Sequence, residues 1–190
     1  MKTGTLFIIS APSGGGKTTL VNALLADLGP NTPLERIITY TTKQPRAGDV
    51  QGKDYHFIDK PDFEKKIKEG YFIEYSDAYD NYYGSPLYIV EQLKAGVSLI
   101  GILDRDGARE VKKAYPEAVL IWIAPPSIEE LEKRLVSRGS ETPESLKSRL
   151  GLAIEEISAE KAHPLYAFHV INDDFDRAKQ EIAKIILKHL

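Results

Sequence analysis

Residues Ser10 to Leu20 read SAPSGGGKTTL, and their types are those a phosphate cradle needs. Glycines at 14, 15 and 16 let consecutive backbone N–H groups turn inward toward phosphate oxygens. Lys17 can reach terminal phosphates, and the Thr18 hydroxyl can hold Mg2+. A helix opening at Lys17 adds its positive end. The expected nucleotide-binding set is therefore Ala11, Pro12, Ser13, Gly14, Gly15, Gly16, Lys17, Thr18 and Thr19. One position departs from the pattern G-x-x-x-x-G-K-[ST], which has glycine where this chain has Ala11. Alanine fits there if its φ stays negative, and Pro12 favours that, because a residue before proline is pushed toward extended conformations. The loop predicts a nucleoside triphosphate site and leaves open where the phosphate goes.

Two later stretches bear on that question: TYTTKQPRAGDVQGKDYHF, Thr39 to Phe57, and YFIEYSDAYDNYYGS, Tyr71 to Ser85. Here the chain resembles the guanylate kinases, which move a phosphoryl group from ATP to GMP. The family pattern runs close to S-x-T-T-R-x-P-R-x-G-E, then DY-x-F, F-[IL]-E and N-x-Y-G-[ST]. The resemblance continues through PPSIEELEKRLVSRGSETPESLKSRL and VINDD, so it spans essentially the whole chain. The residue chemistry agrees. Lys43, Arg46, Tyr55 and Tyr83 offer cations and hydroxyls to a monophosphate, Arg46 through a bidentate fork. A carboxylate can accept from guanine N1–H and the exocyclic amine together, and Glu74 is the candidate. Thr39 and Ser85 are candidate donors to O6. Adenine lacks both guanine donors, so an unpaired Glu74 would reject it.

The resemblance also implies a mobile lid around GSETPES, with Arg138 and Arg149 folding onto the phosphates and Arg134 nearer the adenosine. It implies that Asn172 touches adenine. The expected catalytic residues are Lys17, Arg46, Arg138 and Arg149, acting by positioning and charge neutralisation on an in-line transfer with ATP and Mg2+. GMP and dGMP are the expected acceptors. Two alternatives share the phosphate loop: a P-loop kinase acting on a phosphorylated ribose, and a non-catalytic binding module. The first has no use for a guanine-reading carboxylate, and the second could dispense with Lys17 and the arginines. The chain also departs from the family. Where members read L-D-I-D-x-Q-G it has GILDRDG, so Asp104 matches the second aspartate while the first falls on Ile102. Lys43 replaces an arginine, and Asp49 a glutamate. The expectation is an active enzyme that Ile102 and Lys43 weaken.

These residues must be held by a frame. Leu6 to Ile9, Val97 to Leu103, Ala118 to Ala124 and Phe168 to Ile171 are apolar runs that read as buried strands. Helical patterns lie at Lys17 to Leu28, Pro86 to Lys94, Gly107 to Ala114, Ser127 to Ser137, Pro143 to Lys161 and Asp174 to Leu190. Ser127 with Glu130 fits a capping box. Strands alternating with helices predict an α/β fold, a three-layer P-loop architecture with a parallel central sheet flanked by helices. The polar, tyrosine-rich segment at about 36–85 reads as an inserted mixed-β lobe that binds GMP. The core is expected at 1–35 and 86–190, with a short helical lid at about 126–156.

The 190 residues, 42% of them hydrophobic, suffice for one domain with a real core. A net charge of −3 argues against generic binding to nucleic acid or anionic membranes. There is no cysteine, which excludes disulfides and thiolate metal sites, and His56, His163, His169 and His189 form no metal-like pattern. The opening residues carry no cleavable apolar segment, and a cytoplasmic location is expected.

Overall fold

The computed structural model describes residues 3–45, 48–78, 80–137 and 143–190. Strand β1 (Leu6–Ser10) is followed by the glycine loop and helix α1 (Lys17–Leu28). A single 3-10 turn leads to β2 (Leu34–Arg36), a three-residue strand whose Leu-Glu-Arg sequence carries no apolar run to announce it. Next come β3 (Tyr40–Thr41), β4 (His56–Phe57), α2 (Lys60–Lys68), β5 (Phe72–Ala78) and β6 (Asn81–Pro86). The chain continues through α3 (Ile89–Lys94), β7 (Ser98–Ile102), α4 (Arg105–Ala114), β8 (Val119–Ala124), α5 (Ile128–Ser137), α6 (Pro143–Ala162), β9 (Phe168–Ile171) and α7 (Phe175–His189).

Two sheets result. The larger is parallel, in the order β2-β7-β1-β8-β9. Its central strand is buried on both faces, which is why β1 is apolar throughout rather than alternating. Phe7 and Ile9 pack on one side with Leu20 and Leu24 of α1 and Ile182 and Ile186 of α7. Leu6 and Ile8 pack on the other side with Leu93 of α3 and Val111 of α4. The smaller sheet runs β4-β3-β6-β5. It is mixed: β3 and β4 are parallel, and the remaining pairs are antiparallel.

Boundaries differ from the sequence reading where side chains cap or strands extend. Pro86 closes β6, so α3 begins at Ile89. Helix α4 begins at Arg105 because Asp104 accepts from the Gly107 N–H at 2.7 Å and caps it. Half of the Ser127 capping box is present. Glu130 N donates to Ser127 Oγ at 3.2 Å, while the Glu130 carboxylate turns to Lys133 and Arg134. Among the described residues, no helix is long and apolar enough to cross a membrane.

Candidate active site

A cavity of about 450 Å³ opens at the carboxyl ends of β1 and β7, where ligands collect in parallel α/β sheets. Residues 13–19 form one wall. Thr39, Lys43, Tyr55, Ser76, Asn81 and Tyr83 come from the small-sheet side. Ile102, Leu103 and Asp104 follow β7, and Arg149 and Glu156 project from α6.

The glycine loop has the geometry its sequence requires. Gly14 and Gly16 sit at φ of 87° and 90°, where a side chain would be strained. A Cβ on Gly15 would lie 2.7 Å from the Ala11 Cβ, so the Ala11 methyl occupies space that only a glycine at 15 leaves free. Among the described residues Asp80 is the sole non-glycine with positive φ, so Ala11 meets the condition set for it. The Lys17 ammonium folds onto the loop and donates to the Ala11 carbonyl at 2.5 Å. Asn172 braces the loop from beneath: its Nδ2 donates to the Gly15 carbonyl at 3.0 Å. Arg134 in turn donates to the Asn172 carbonyl at 2.9 Å. These two residues meet each other and the loop, but they do not line the cavity. Arg149 places Nε and Nη2 at 3.1 and 2.8 Å from Ser13 Oγ.

Beside the small-sheet side, strand pairing collects polar residues on one face, of which Ser76 and Tyr83 line the cavity and Glu74 and Ser85 do not. Glu74 lies opposite Ser85, and Ser76 opposite Tyr83. Because side chains alternate along a strand, all four point to the same side. Glu74 is 4% exposed, and neither carboxylate oxygen has a hydrogen-bond partner. Burial pushes its carboxyl up to about 7. Ser85 draws it back without reaching hydrogen-bond geometry, and Asp104 and Glu110 add repulsion. Thr39 and Ser85 are buried nearby. Both Asp104 oxygens accept a hydrogen bond: Ser76 Oγ donates to Oδ2 at 2.7 Å, and the Gly107 N–H donates to Oδ1. A Cβ on Gly107 would fall 2.9 Å from Glu74 Oε2, so glycine there is what lets the carboxylate in.

Lys43 pairs with Asp49 at 3.0 Å and lies 4.9 Å from the centre of the Tyr55 ring. Two of the residues that depart from the family pattern, Lys43 and Asp49, therefore meet each other. Arg46 and Arg138 lie outside the described residues.

The guanylate kinase family profile matches residues 3–189. The chain belongs to the guanylate kinase family. A guanylate kinase of Shewanella violacea is 44% identical over 184 residues, covering 96% of this chain and 86% of that one. One of Rubrobacter xylanophilus is 39% identical over 187 residues, covering 98% and 95%. The crystal structure of guanylate kinase from Anaplasma phagocytophilum superposes with a TM-score of 0.81 at 29% identity, covering all of this chain (100%) and 88% of that one. The family resemblance seen in the sequence and the α/β parallel-sheet fold expected from it both hold.

Three polar cavity residues, and the apolar Leu103, escaped the sequence reading. Ser76 and Asn81 sit inside motifs that were quoted, and strand parity with Glu74 and Tyr83 would have found them. Glu156 gave a weaker signal, since the run EEISAEK looks like a solvated helix face. Its Oε2 is buried without a partner. Burial raises the Glu156 carboxyl above its usual range, against the pull of Lys17, and Asp104 adds to the rise.

Proposed function

We propose that this guanylate kinase family member transfers the γ-phosphoryl group of ATP to GMP, and to dGMP, giving ADP and the diphosphate, in the cytoplasm. The observation that carries the reading is Glu74. It is a buried carboxylate with two unpartnered oxygens, in a site whose other end is a glycine loop with its lysine and threonine. Guanine supplies the two adjacent donors such a carboxylate lacks.

The proposed roles of Arg46 and Arg138 come from the family resemblance, and those of the others are read from their neighbours. Backbone N–H groups of 14–16 and Lys17 hold the ATP phosphates. Lys43, Tyr55 and Tyr83, with Arg46, hold the GMP phosphate. Thr39 and Ser85 serve O6, and Asp104 aligns Ser76 beside them. Arg134 and Asn172 shape the adenosine side through the loop they brace. The segment at about 36–85 acts as the GMP lobe, and that at about 126–156 as the lid bringing Arg138 and Arg149 over the transferring group. A GMP phosphate oxygen attacks the γ-phosphorus in line, the bridging bond to ADP breaks, and the cations neutralise the spreading charge. No side chain forms a covalent bond.

Mg2+ fits the residues present. The Thr18 hydroxyl is a hard oxygen donor on the cavity wall, and Mg2+ is usually held by one or two protein oxygens plus substrate phosphates. When bound, it would supply positive charge to neutralise the transferring phosphates.

The test is ADP release with ATP and Mg2+ against GMP, dGMP, AMP, CMP, UMP and a phosphorylated ribose. Turnover confined to GMP and dGMP is expected. Turnover only with the sugar phosphate, or none while ATP still binds, would overturn the reading.

A further inference from the structure

One stripe of α6 turned toward the cavity carries charge, beside Ile157, which packs against the core. Arg149, Ala153, Glu156 and Glu160 lie at i, i+4, i+7 and i+11, one stripe of the helix. Ala153 and Glu160 are buried, and Arg149 and Glu156 line the cavity. Leu152 and Ile154 lie off this stripe and are 38% and 37% exposed. Two of these inward positions reach the phosphate end. Arg149 grips the Ser13 hydroxyl. Glu156 shares the wall with Lys17 and Thr18 and keeps one oxygen buried and unpartnered.

A carboxylate there is an electrostatic conflict. The cavity receives a polyanion, and a second fixed negative charge repels it. The conflict is resolved if a cation or its hydration water stands between Glu156 and the phosphates. Direct ligation is not needed, since Mg2+ dehydrates reluctantly and keeps several waters. Among the described residues no group of three His, Cys, Asp or Glu side chains could hold a metal alone. The strand wall beside Asp104 is the apolar Ile102. Both oxygens of Asp104 already accept protein hydrogen bonds. Glu156 Oε2 is a buried acceptor without a hydrogen-bond partner on the same cavity as Thr18.

We propose that Glu156 is a positioning residue for Mg2+, accepting hydrogen bonds from the water shell of the ion held between Thr18 and the ATP phosphates. In the absence of metal, the same carboxylate opposes ATP. This rests on the ATP site proposed above and adds metal selectivity to it.

The test is calorimetric binding of ATP without GMP, once with Mg2+ and once with EDTA, to the wild type, Glu156→Gln and Glu156→Asp. Thermal melting checks that each variant is folded. The wild type should bind ATP markedly better with Mg2+. Glu156→Gln should bind metal-free ATP about tenfold more tightly than the wild type, because a fixed repulsion is gone. It should also lose about tenfold or more of the Mg2+ benefit. Glu156→Asp should fall between. A merely structural role predicts loss of affinity under both conditions. An unchanged ratio, or equal loss with and without metal, overturns the proposal while leaving the ATP site standing. Failure of the wild type to bind ATP under either condition overturns both.

Discussion

Replacing Glu74 with glutamine should make the empty protein more stable while it loses guanine recognition. The Glu74 carboxyl is raised from 4.5 to about 7, with burial as the leading cause. The folded chain therefore holds this proton more tightly than the unfolded chain. Stability falls as pH rises from 4.5 through 7, and the full cost is present above 7. At about 1.4 kcal/mol per pH unit, the cost at pH 8 is about 3 kcal/mol. Glutamine has the shape of the protonated acid and no charge to desolvate. Urea denaturation should show Glu74→Gln ahead by about 3 kcal/mol at pH 8 and by under about 1 kcal/mol at pH 5.

Activity should move the other way. The glutamine amide presents a donor to a donor, and kcat/KM for GMP should fall at least about 100-fold. In the wild type, GMP affinity should weaken below pH 7, since binding must then displace a proton from Glu74. The GMP phosphate titrates near pH ~6, but it does so equally with the variant, so the difference between the two profiles isolates the carboxylate. A stability gap that stays flat from pH 5 to 8 would refute the desolvation argument. Normal GMP turnover by Glu74→Gln would refute Glu74 as the guanine reader.

Other outcomes follow from single contacts. Gly15→Ala should weaken ATP binding about 100-fold by displacing the loop, and Ala11→Gly in the same chain should recover part of it, read by calorimetry. The rescue tests the 2.7 Å approach of the two Cβ positions directly. Arg149→Ala should lower kcat about 100- to 1000-fold with a smaller change in KM for ATP. Arg149→Lys should restore little, because the fork to Ser13 is lost. Arg105→Met should cost about 3 kcal/mol in urea, since it removes the guanidinium that lies 3.2 Å from the buried Glu160 carboxylate and leaves that charge to its hydrogen bonds alone. Adding Glu160→Gln should recover part of that loss.

The legible parts of the sequence were those in which a residue's type and its neighbours agree. Leu6 to Ile9 is apolar because β1 is covered on both faces, so the run and its burial carry the same information. The glycine loop was readable because strained φ values leave few choices of residue. Strand β2 was missed because three residues at a sheet edge, two of them charged, leave no pattern; pairing with β7 makes it a strand. Helix α6 was read correctly as a helix, and Ala153 and Ile157 meet the core as its periodicity expects. The charged residues Arg149 and Glu156 that line the cavity gave no signal in that periodicity. Asn172 was expected at the adenine, and its brace on Gly15 was not. That hydrogen bond joins residues 157 positions apart, and nothing local encodes it.

The turn from Asp104 to Gly107 shows why spacing alone could not assign the site. Asp104 ties Ser76 of β5 to the start of α4. Gly107, three residues on, clears the space beside Glu74 Oε2. Arg105, between them, turns the other way and donates to the carbonyls of Ala159 and His163 at the end of α6. It also pairs with Glu160, which accepts from the Leu165 and Tyr166 N–H groups and meets the His169 ring. One short turn thus holds the surroundings of Glu74 and anchors the base of the helix that carries Arg149 and Glu156 to the glycine-loop side of the cavity. On the proposed function, a connection of this kind would let binding energy gathered at the base be used at the phosphates, which is what transfer chemistry by positioning requires. Each residue of the turn has a different partner in space, so a linear motif records the spacing and says nothing of the three directions in which it pulls.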